Sequence, residues 1–320
     1  MESINKRPSV AVVIPTLYRS KYLEQVLNLL SIQTITPDEV LIIDQAAPDE
    51  IDAAMYNQFE GKLPLRVYHL DVRSQSAARN WGVRLSTAEI YISVDDDTEF
   101  DSNFIDNHLK ALALHNCDCI CGGVRFKNSE LKSEFREPSG WESAEFTFTH
   151  TPLVNYPCQT IGIAGCNFSI KRTAIERING WDETIPIYGE DRDFPLRLLK
   201  AGGSIFFNPS PMVVHLKAPM GGGRYVHGKR SFLKRQFSPL PWPSYLYYYK
   251  KHFSSYALIT FLISVILRGW PVYARYKIKT FLTTPFRFYA VLRSNNAANV
   301  LYKQGQVLLN SNVQSKCKQI

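Results

Sequence analysis

Three consecutive aspartates, Asp95, Asp96 and Asp97, follow a strand-like run at 89–94. Their carboxylates repel one another at neutral pH, so this arrangement is costly unless a cation neutralises it. Hard divalent cations prefer carboxylate oxygens, and Mg²⁺ typically uses one or two carboxylates together with substrate phosphates. The pattern therefore indicates a metal that holds a diphosphate. On the residues alone, the alternative is a solvated turn, in which Asp is also common.

A second acidic group lies in the segment YGEDRDF at 188–194, where Glu190 and Asp191 are adjacent. A positioned carboxylate can act as a general base that accepts the proton of a hydroxyl, which is a weak nucleophile at neutral pH. Acidic residues are also favoured in the first turn of a helix by the helix dipole. The residues alone leave both interpretations open.

Three of the six cysteines, Cys117, Cys119 and Cys121, alternate in the apolar stretch CDCICGGVRF. A metal site is one interpretation, and small apolar side chains on one face of a strand are the favoured one. The cysteines are too few and too irregularly spaced for a disulfide framework, and we see no secretory signal at the start. We therefore expect a reduced, cytosolic protein.

Strand-like and helix-like patterns alternate through the first third of the chain. Short apolar runs predict strands at 9–15, 39–44 and 89–94, and the alternating run LRVYHL predicts one at 65–70. Helical spacing of apolar residues between them is found at Leu23, Val26, Leu27, Leu30, Ala77, Ala78, Trp81 and Leu85. The pattern predicts an α/β fold, with a mostly parallel sheet flanked by helices on both faces. Ligands bind outside the carboxyl ends of such strands, where the three aspartates fall.

Charge divides the chain, whose formal net charge is +8. Residues 1–215 hold 20 Lys and Arg against 29 Asp and Glu, whereas residues 216–320 hold 17 Lys and Arg and no acid. Such a split predicts an acidic body that uses cations and a basic region that faces a polyanion. We expect a catalytic domain at 1–235 and a helical, aromatic-rich region at 236–320.

The basic region contains the uncharged run Phe253–Leu267, between Lys250-Lys251 and Arg268. This run is shorter than the roughly 18–20 apolar residues that a spanning helix needs. Flanking aromatics and cations favour a helix that lies on an anionic, cytoplasmic membrane surface. The alternative is a core helix of a small C-terminal domain. No nucleic-acid-binding motif accompanies the charge, so we expect no nucleic-acid partner.

Six segments between residues 9 and 215 resemble the family 2 glycosyltransferases in order and spacing. They are VVIPTLYR (12–19), LIID (41–44), SQSAARNWG (74–82), VDDDTEF (94–100), IAGCNFSIKR (163–172) and GWDETIPIYGEDRDFPLRLLKAGG (180–203). The resemblance implies a GT-A fold and a nucleotide-sugar donor. Many relatives carry a second acidic residue and a Ser after the second strand, whereas Gln45-Ala46-Ala47 follows Asp44 here. The identity of the nucleotide base therefore stays open.

The resemblance also implies a nucleoside site. Pro15, Thr16 and Arg19 are expected to line it, and Asp44 to accept hydrogen bonds from the base, with a helix cap as its alternative role. The pair Arg79 and Asn80 is placed at the start of a helix. There, a guanidinium and unbonded backbone N–H groups both favour anionic ligand atoms.

For the diphosphate, the resemblance implies that Asp97 ligates Mn²⁺ or Mg²⁺ and that Asp95 holds ribose hydroxyls or outer-shell water. Asp96 is left between these two roles. His215 matches a metal-ligating His of many relatives, although a lone His after apolar residues is more often structural. Arg224, in the segment KAPMGGGR, is expected to reach the diphosphate from a mobile lid.

For catalysis, the resemblance implies that Asp191 is the general base and that Glu190 raises its pKa or helps to place the acceptor. Gly165 and Asn167 are expected on the acceptor side. The predicted activity is inverting sugar transfer to a hydroxyl of a glycan or lipid-linked acceptor in cell-surface polysaccharide synthesis. The alternatives are an inactive membrane-anchored scaffold of such a pathway and a soluble nucleotidyltransferase.

Overall fold

The computed structural model of the chain describes the greater part of the acidic body. The described residues are 7–127, 156–185, 189–219, 221, 242–256, 259, 298 and 316–320. The strands are β1 (Val10–Thr16), β2 (Glu39–Asp44), β3 (Leu65–Leu70), β4 (Ile90–Val94), β5 (Thr98–Glu99), β6 (Cys119–Phe126), β7 (Cys158–Gln159), β8 (Asn167–Lys171), β9 (Ile205–His215) and β10 (Cys317–Gln319). The helices are α1 (Ser20–Ser31), α2 (Ala53–Asn57), α3 (Gln75–Leu85), α4 (Phe104–His115), α5 (Arg172–Arg177), α6 (Glu190–Lys200) and α7 (Trp242–His252).

All of these strands belong to one sheet, in the order β10-β3-β2-β1-β4-β8-β6-β9-β5, with β7 on β9. The strands β3, β2, β1 and β4 are parallel, as predicted from their apolar runs. Beyond β4 the sheet is mixed, because β8 pairs antiparallel with both β4 and β6 while β6 and β9 are parallel. The α/β fold class is confirmed.

Both faces of the sheet are covered, because successive side chains of a strand point to opposite sides. On one face, Val13 packs in a buried cluster with Ala77 and Ala78 of α3. On the other, Val12 packs with Leu23 and Val26 of α1. Every member of the predicted α1 stripe is buried, so the sequence identified this face correctly.

The strand ends converge at one edge of the sheet. Thr16 at the end of β1 lies in register with Asp44 at the end of β2. The central strand β4 ends at Val94, directly before the three aspartates. The carboxyl ends of these parallel strands therefore carry the residues that the sequence singled out.

The cysteines of β6 support the apolar interpretation. Cys119 and Cys121 are buried in the same hydrophobic cluster, as small residues on one strand face. Burial raises the pKa of the Cys121 thiol to about 12, which keeps it protonated.

Residue contacts divide the chain into two compact units. The first consists of Met1–Pro186, Glu190–Gly222 and Val307–Ile320, and the second of Ile187–Gly189 and Gly223–Gln306. The predicted boundary at 235 assigns β10 to the C-terminal region, whereas β10 pairs antiparallel with β3 in the sheet of the first unit. Helix α7 is the longest described element of the second unit.

Much of the predicted membrane-surface run Phe253–Leu267 lies outside the described residues. Among the residues that the structure does describe, no helix has the length and apolar character needed to cross a membrane.

Candidate metal and catalytic site

Asp95, Asp97 and His215 form a cluster at the edge where the parallel strands end. Each offers one ligand atom, and the three atoms lie within 4.8 Å of one another. The imidazole Nε2 of His215 is 4.0 Å from Oδ2 of Asp95, and its Nδ1 is 3.7 Å from Oδ2 of Asp97. Two carboxylates and one imidazole are a donor set that suits Mn²⁺ or another divalent cation.

Backbone pairing brings His215 to the aspartates across a long stretch of sequence. β5 pairs antiparallel with the end of β9, with Thr98 opposite His215. The backbone N–H of Leu216 donates to the carbonyl of Asp97 (2.8 Å), and the N–H of Ala218 donates to its Oδ2 (2.8 Å). The position of Asp97 is therefore fixed by the strand that ends in His215.

The electrostatics of the cluster fit a cation. Burial, together with the neighbouring charge of Asp97, raises the pKa of Asp95. Both effects disfavour an ionised carboxylate, and a divalent cation at the cluster reverses them. The residues present therefore fit a divalent metal.

The tautomer of His215 sets a condition on metal binding. Its Nδ1 accepts a hydrogen bond from the Lys217 N–H (3.1 Å), so the proton of the neutral ring is on Nε2. A ring nitrogen ligates a metal only through a free lone pair. Ligation through Nδ1 uses the lone pair that now accepts from Lys217. Ligation through Nε2 moves the ring proton to Nδ1, which can then no longer accept. In both cases the Lys217 N–H must move away from Nδ1. Lys217 itself has a φ of 55°, in the left-handed region.

Asp96, left undecided by the sequence, is not a member of this cluster. Its Oδ2 accepts a hydrogen bond from the Thr16 hydroxyl (2.7 Å), and its Oδ1 accepts one from the Arg19 guanidinium (2.7 Å). Burial raises the pKa of Asp96 to about 7 against the opposing effect of Arg19. Asp96 thus connects the segment after β4 with the segment after β1.

Asp191, the predicted base, lies in the first turn of α6 and is about one-fifth exposed. Its Oδ1 is 3.4 Å from the Arg79 guanidinium, and its Oδ2 accepts a hydrogen bond from the Gly165 N–H (3.3 Å). A Cβ on Gly165 would lie 2.5 Å from both Arg79 and Asp191, so a larger residue here would displace one of these two side chains. The structure therefore places Gly165 against the predicted base.

Glu190 is buried beside Asp191, with Oε1 at 3.6 Å from the Arg79 guanidinium. Burial, followed by the charge of Asp191, raises the pKa of Glu190. Among the residues that the structure describes, its Oε2 has no hydrogen-bond partner. A protonated Glu190 is the form that this environment favours, and Asp191 is the more accessible of the two carboxylates.

The predicted position of Arg79 and Asn80 at the start of a helix is wrong. Helix α3 begins at Gln75 with Ser74 as its N-cap, so both residues lie in the second turn, where backbone N–H groups are already bonded. The Asn80 amide donates to the Trp181 carbonyl (2.9 Å) and accepts from the Trp181 N–H (2.8 Å). Asn80 therefore fixes the segment before α6 and has no exposed atoms for a nucleotide.

Asn167, predicted on the acceptor side, is also misassigned. Its side chain is fully buried, and its amide donates to the carbonyls of Gly123 (2.8 Å) and Pro211 (2.7 Å). Its Oδ1 contacts His108 Nε2 (2.9 Å). An amide with these partners is part of the fold and is not available to an acceptor.

Asp44 stands at the end of β2, as predicted, with both oxygens engaged. It accepts hydrogen bonds from the Tyr56 hydroxyl (2.7 Å) and the Ala46 N–H (2.9 Å), and burial raises its pKa. The structure brings it into register with Thr16, and Pro15 is buried within β1. Arg224 lies outside the described residues.

Sequence reasoning missed three residues beside Asp44. The Gln45 side chain accepts a hydrogen bond from the Ser74 N–H (2.6 Å), which joins the end of β2 to the start of α3. The Tyr18 hydroxyl accepts from Arg73 (3.0 Å), whose guanidinium lies 5.5 Å from the Tyr18 ring centroid. The left-handed φ of Tyr18, 56°, turns this residue out of β1. No spacing rule signals such a pair, since its members come from different loops.

Comparison with known proteins identifies the family. The amino-acid sequence matches the profile described as glycosyl transferase family 2 over residues 11–178, more than half of the 320-residue chain. The chain belongs to glycosyl transferase family 2. Residues 147–218 of this family 2 chain also match the profile described as the N-terminal domain of galactosyltransferase.

Two curated relatives are similar to this family 2 chain. N-acetylgalactosaminyltransferase 6 of Drosophila melanogaster is 23% identical over 237 residues, which cover 67% of this chain and 35% of the relative. Glycosyltransferase AglE of Haloferax volcanii is 24% identical over 238 residues, which cover 72% of this chain and 71% of the relative. The chain thus spans about a third of the first relative and nearly three quarters of the second.

Two solved structures share the fold. S. aureus TarS in complex with UDP-GlcNAc aligns with a TM-score of 0.55 at 15% identity, covering 93% of this chain and 92% of that one. Mannosyltransferase PcManGT from Pyrobaculum calidifontis, in complex with GDP-Man and Mn²⁺, aligns with a TM-score of 0.53 at 16% identity, covering 91% and 88%. At these identities the likeness concerns the fold of the family 2 chain.

Proposed function

We propose that this chain is a metal-dependent, inverting glycosyltransferase that uses a nucleoside-diphosphate sugar. The observation that carries the proposal is a pair of acidic groups in the first unit. One is the ligand cluster Asp95, Asp97 and His215, and the other is Asp191 held by Arg79 and Gly165. A metal-held diphosphate and a general base are the two parts that direct sugar transfer requires.

The donor is proposed to lie at the carboxyl ends of β1, β2 and β4. Solved structures of the same fold hold UDP-GlcNAc, and GDP-Man with Mn²⁺, in TarS and PcManGT respectively. Thr16, Arg19 and Asp44 would border the nucleoside, and the half-buried Tyr18 with the exposed Arg73 offers it a ring and a cation. Arg224 remains a proposed contact of the diphosphate.

Asp95, Asp97 and His215 would hold Mn²⁺ or Mg²⁺. When bound, the ion supplies positive charge that stabilises the leaving nucleoside diphosphate. Arg19 contributes to the same region, because its guanidinium is 3.3 Å from Oδ1 of Asp97. These residues bind and orient the donor and do not exchange protons with it.

Asp191 is proposed to take the proton of the acceptor hydroxyl. The hydroxyl oxygen forms a bond to the anomeric carbon as the bond from that carbon to the diphosphate oxygen breaks, and the bonding electrons leave with the nucleoside diphosphate. One direct displacement inverts the anomeric configuration. The long contacts of Asp191 with Arg79 and Gly165 leave it able to accept that proton.

We further propose that the acceptor is a glycan or lipid-linked hydroxyl of a cell-surface polysaccharide, reached at the cytoplasmic face of the membrane. The support is the basic region 216–320, with 17 Lys and Arg and no acidic residue. Each such cation near an anionic surface contributes about 1 kcal/mol of binding free energy. The protein should sediment with anionic vesicles at low salt and less with neutral ones. A chain that stays in the supernatant with both would contradict this localisation.

The experiment that tests the activity is a screen for nucleoside diphosphate release. UDP-, GDP- and dTDP-sugars are each incubated with the protein, Mn²⁺ or Mg²⁺, and candidate glycan acceptors. We expect one nucleotide class to be turned over, and EDTA to stop it. Binding of a donor without turnover would favour an inactive scaffold. Release of pyrophosphate from a nucleoside triphosphate would favour nucleotidyl transfer.

A further inference from the structure

A buried row of polar side chains lies between strand β8 and helix α4. It consists of Ser169, His108 and Asn167, all fully buried. The Ser169 hydroxyl is 2.9 Å from Nδ1 of His108, and Nε2 of His108 is 2.9 Å from Oδ1 of Asn167. The proposed reaction uses none of these groups.

The partners of this row fix every proton in it. The Asn167 amide nitrogen faces two carbonyl oxygens, those of Gly123 and Pro211, so it must be the donating NH₂ end. Its oxygen then accepts from Nε2–H of His108, and Nδ1 of His108 accepts from Ser169. Each member has the polarity that its neighbour needs, so Asn167 is held in a single orientation.

Asn167 spans an irregularity in the pairing of β6 with β9. Gly122 lies opposite Asn208, but the next residue, Gly123, lies opposite Met212. The residues 209–211 therefore bulge out of β9. Of the two carbonyls that Asn167 binds, that of Gly123 lies directly after the shift and that of Pro211 belongs to the last bulged residue. A Cβ on Gly122 would lie 2.2 Å from the Asn167 amide nitrogen, so glycine leaves room for the amide.

Asn167 is connected through the sheet to both halves of the ligand cluster. Its backbone pairs with Val94, the last residue of β4, directly before Asp95. Its side chain fixes the register with which β9 resumes, and that register continues without a break to His215 opposite Phe126. We propose that Asn167 is a positioning residue for the metal centre, setting the spacing between the aspartates and His215. This inference rests on the proposed metal site.

The test is Asn167→Asp, which keeps the shape of the side chain but turns an acceptor oxygen towards the two carbonyls. Mn²⁺ alone is titrated into the full chain, and free Mn²⁺ is followed by electron paramagnetic resonance. Outer-shell residues typically contribute roughly 10- to 100-fold to metal affinity, and we expect a loss of that size. Excess Mn²⁺ should restore transfer in the variant.

Ser169→Ala is the matched control, because it removes only the hydroxyl that bonds to Nδ1 of His108. Both hydrogen bonds that Asn167 donates stay in place. We expect Ser169→Ala to lower the melting temperature without changing Mn²⁺ affinity. If Asn167→Asp does not fold, Asn167→Ser removes the amide without adding charge and is titrated instead. Wild-type affinity in either Asn167 variant overturns the inference alone. A wild-type chain that binds no Mn²⁺ overturns the metal assignment and the inference together.

Discussion

Two buried arginines face acidic pairs in this molecule, and their contacts differ. Arg19 lies 2.7 Å from Asp96, and both side chains are almost fully buried, at 8% and 3% exposure. Arg79 lies 3.4 Å from Asp191 and 3.6 Å from Glu190, and Asp191 is 21% exposed. Arg19 and Asp96 thus form a short, charge-assisted hydrogen bond, which we call the tighter cluster. Arg79 makes longer ionic contacts with Asp191 and Glu190, which we call the looser cluster.

The difference separates architecture from chemistry. Each carboxylate oxygen of Asp96 accepts one short hydrogen bond, from Thr16 or Arg19, so Asp96 stabilises the loops at the sheet edge. Asp191 has only long contacts with Arg79 and Gly165 and keeps one side open to solvent. The middle residue of the aspartate triplet is therefore the least available of the three, although the sequence places all of them together.

The largest expected effect lies in the looser cluster. Asp191→Asn preserves shape and removes the proposed base, so turnover should fall by about 10²- to 10⁴-fold with donor affinity unchanged. Steady-state release of nucleoside diphosphate measures turnover, and calorimetry measures donor affinity. Asp106→Asn, which removes an acid paired with Lys110 on α4, is the matched control and should turn over normally. Near-normal turnover by Asp191→Asn would place the base elsewhere, with Glu190 as the next candidate.

Loss of the tighter cluster should lower the free energy of unfolding. Asp96→Ala leaves Arg19 buried without its short bond, and broken buried pairs cost about 3–5 kcal/mol of unfolding free energy. We expect about 3 kcal/mol, because Asp97 remains 3.3 Å from Arg19. Urea unfolding measures this loss. Asp95→Ala should cost less than about 1 kcal/mol, since it relieves repulsion among like charges. Equal losses in both variants would contradict the assignment of Asp96 to architecture.

Substitution of Asp97, an outer member of the aspartate triplet, should weaken metal binding. Asp97→Asn removes a proposed ligand while the Ala218 N–H can still donate to the remaining amide oxygen. We expect Mn²⁺ affinity to fall by at least roughly tenfold, the lower bound typical of losing even an outer-shell partner. Titration of Mn²⁺ in the presence of a nucleoside diphosphate provides the measurement. Unchanged affinity would remove Asp97 from the ligand set.

The smallest expected effect is the pH dependence of stability that comes from His108, a buried group that is neutral in the folded chain. Burial lowers the pKa of His108 from 6.5 to about 3, so the folded chain keeps it neutral while the unfolded chain protonates it. Its contribution to stability is complete above pH 6.5 and decreases as the pH falls towards 3. Between pH 6.5 and 5.5 the loss should be about 1 kcal/mol.

Carboxyls with raised pKa values, such as Asp44, act in the opposite direction, so the measurement needs a reference. His108→Gln cannot titrate at this position and provides one. The unfolding free energy of the wild-type chain should decrease relative to the variant as the pH falls. Parallel pH dependences in the two proteins would mean that His108 is not the titrating group.

The sequence predicted the part of the fold that depends on local pattern. The runs at 39–44 and 65–70 are strands with those bounds, because the first is a short apolar run with three β-branched residues and the second alternates apolar and polar residues. Asp44 and the aspartate triplet followed from the rule that ligands meet the carboxyl ends of such strands. This rule needs no tertiary contacts.

The errors concern residues whose partners are distant in sequence. Asn167 and Asn80 looked available because their partners, Pro211 and Trp181, cannot be paired with them from spacing. Strand β9 contains Pro209 and Pro211, which argue against a strand, and it tolerates them because they lie at the bulge. Asp96 was undecided because the orientation of three adjacent side chains depends on loop conformation.

The pairing of β10 with β3 has a consequence for synthesis. Lys316 and Asp71, which bond beside this pair, are 245 positions apart. A ribosome therefore releases β3 long before its neighbour exists, and the outer edge of β3 keeps unbonded N–H and C=O groups during that interval. During synthesis, the outer edge of β3 must therefore avoid pairing with strands of other chains. Contacts of such sequence separation also form late, because the entropy of closing the intervening loop must first be overcome.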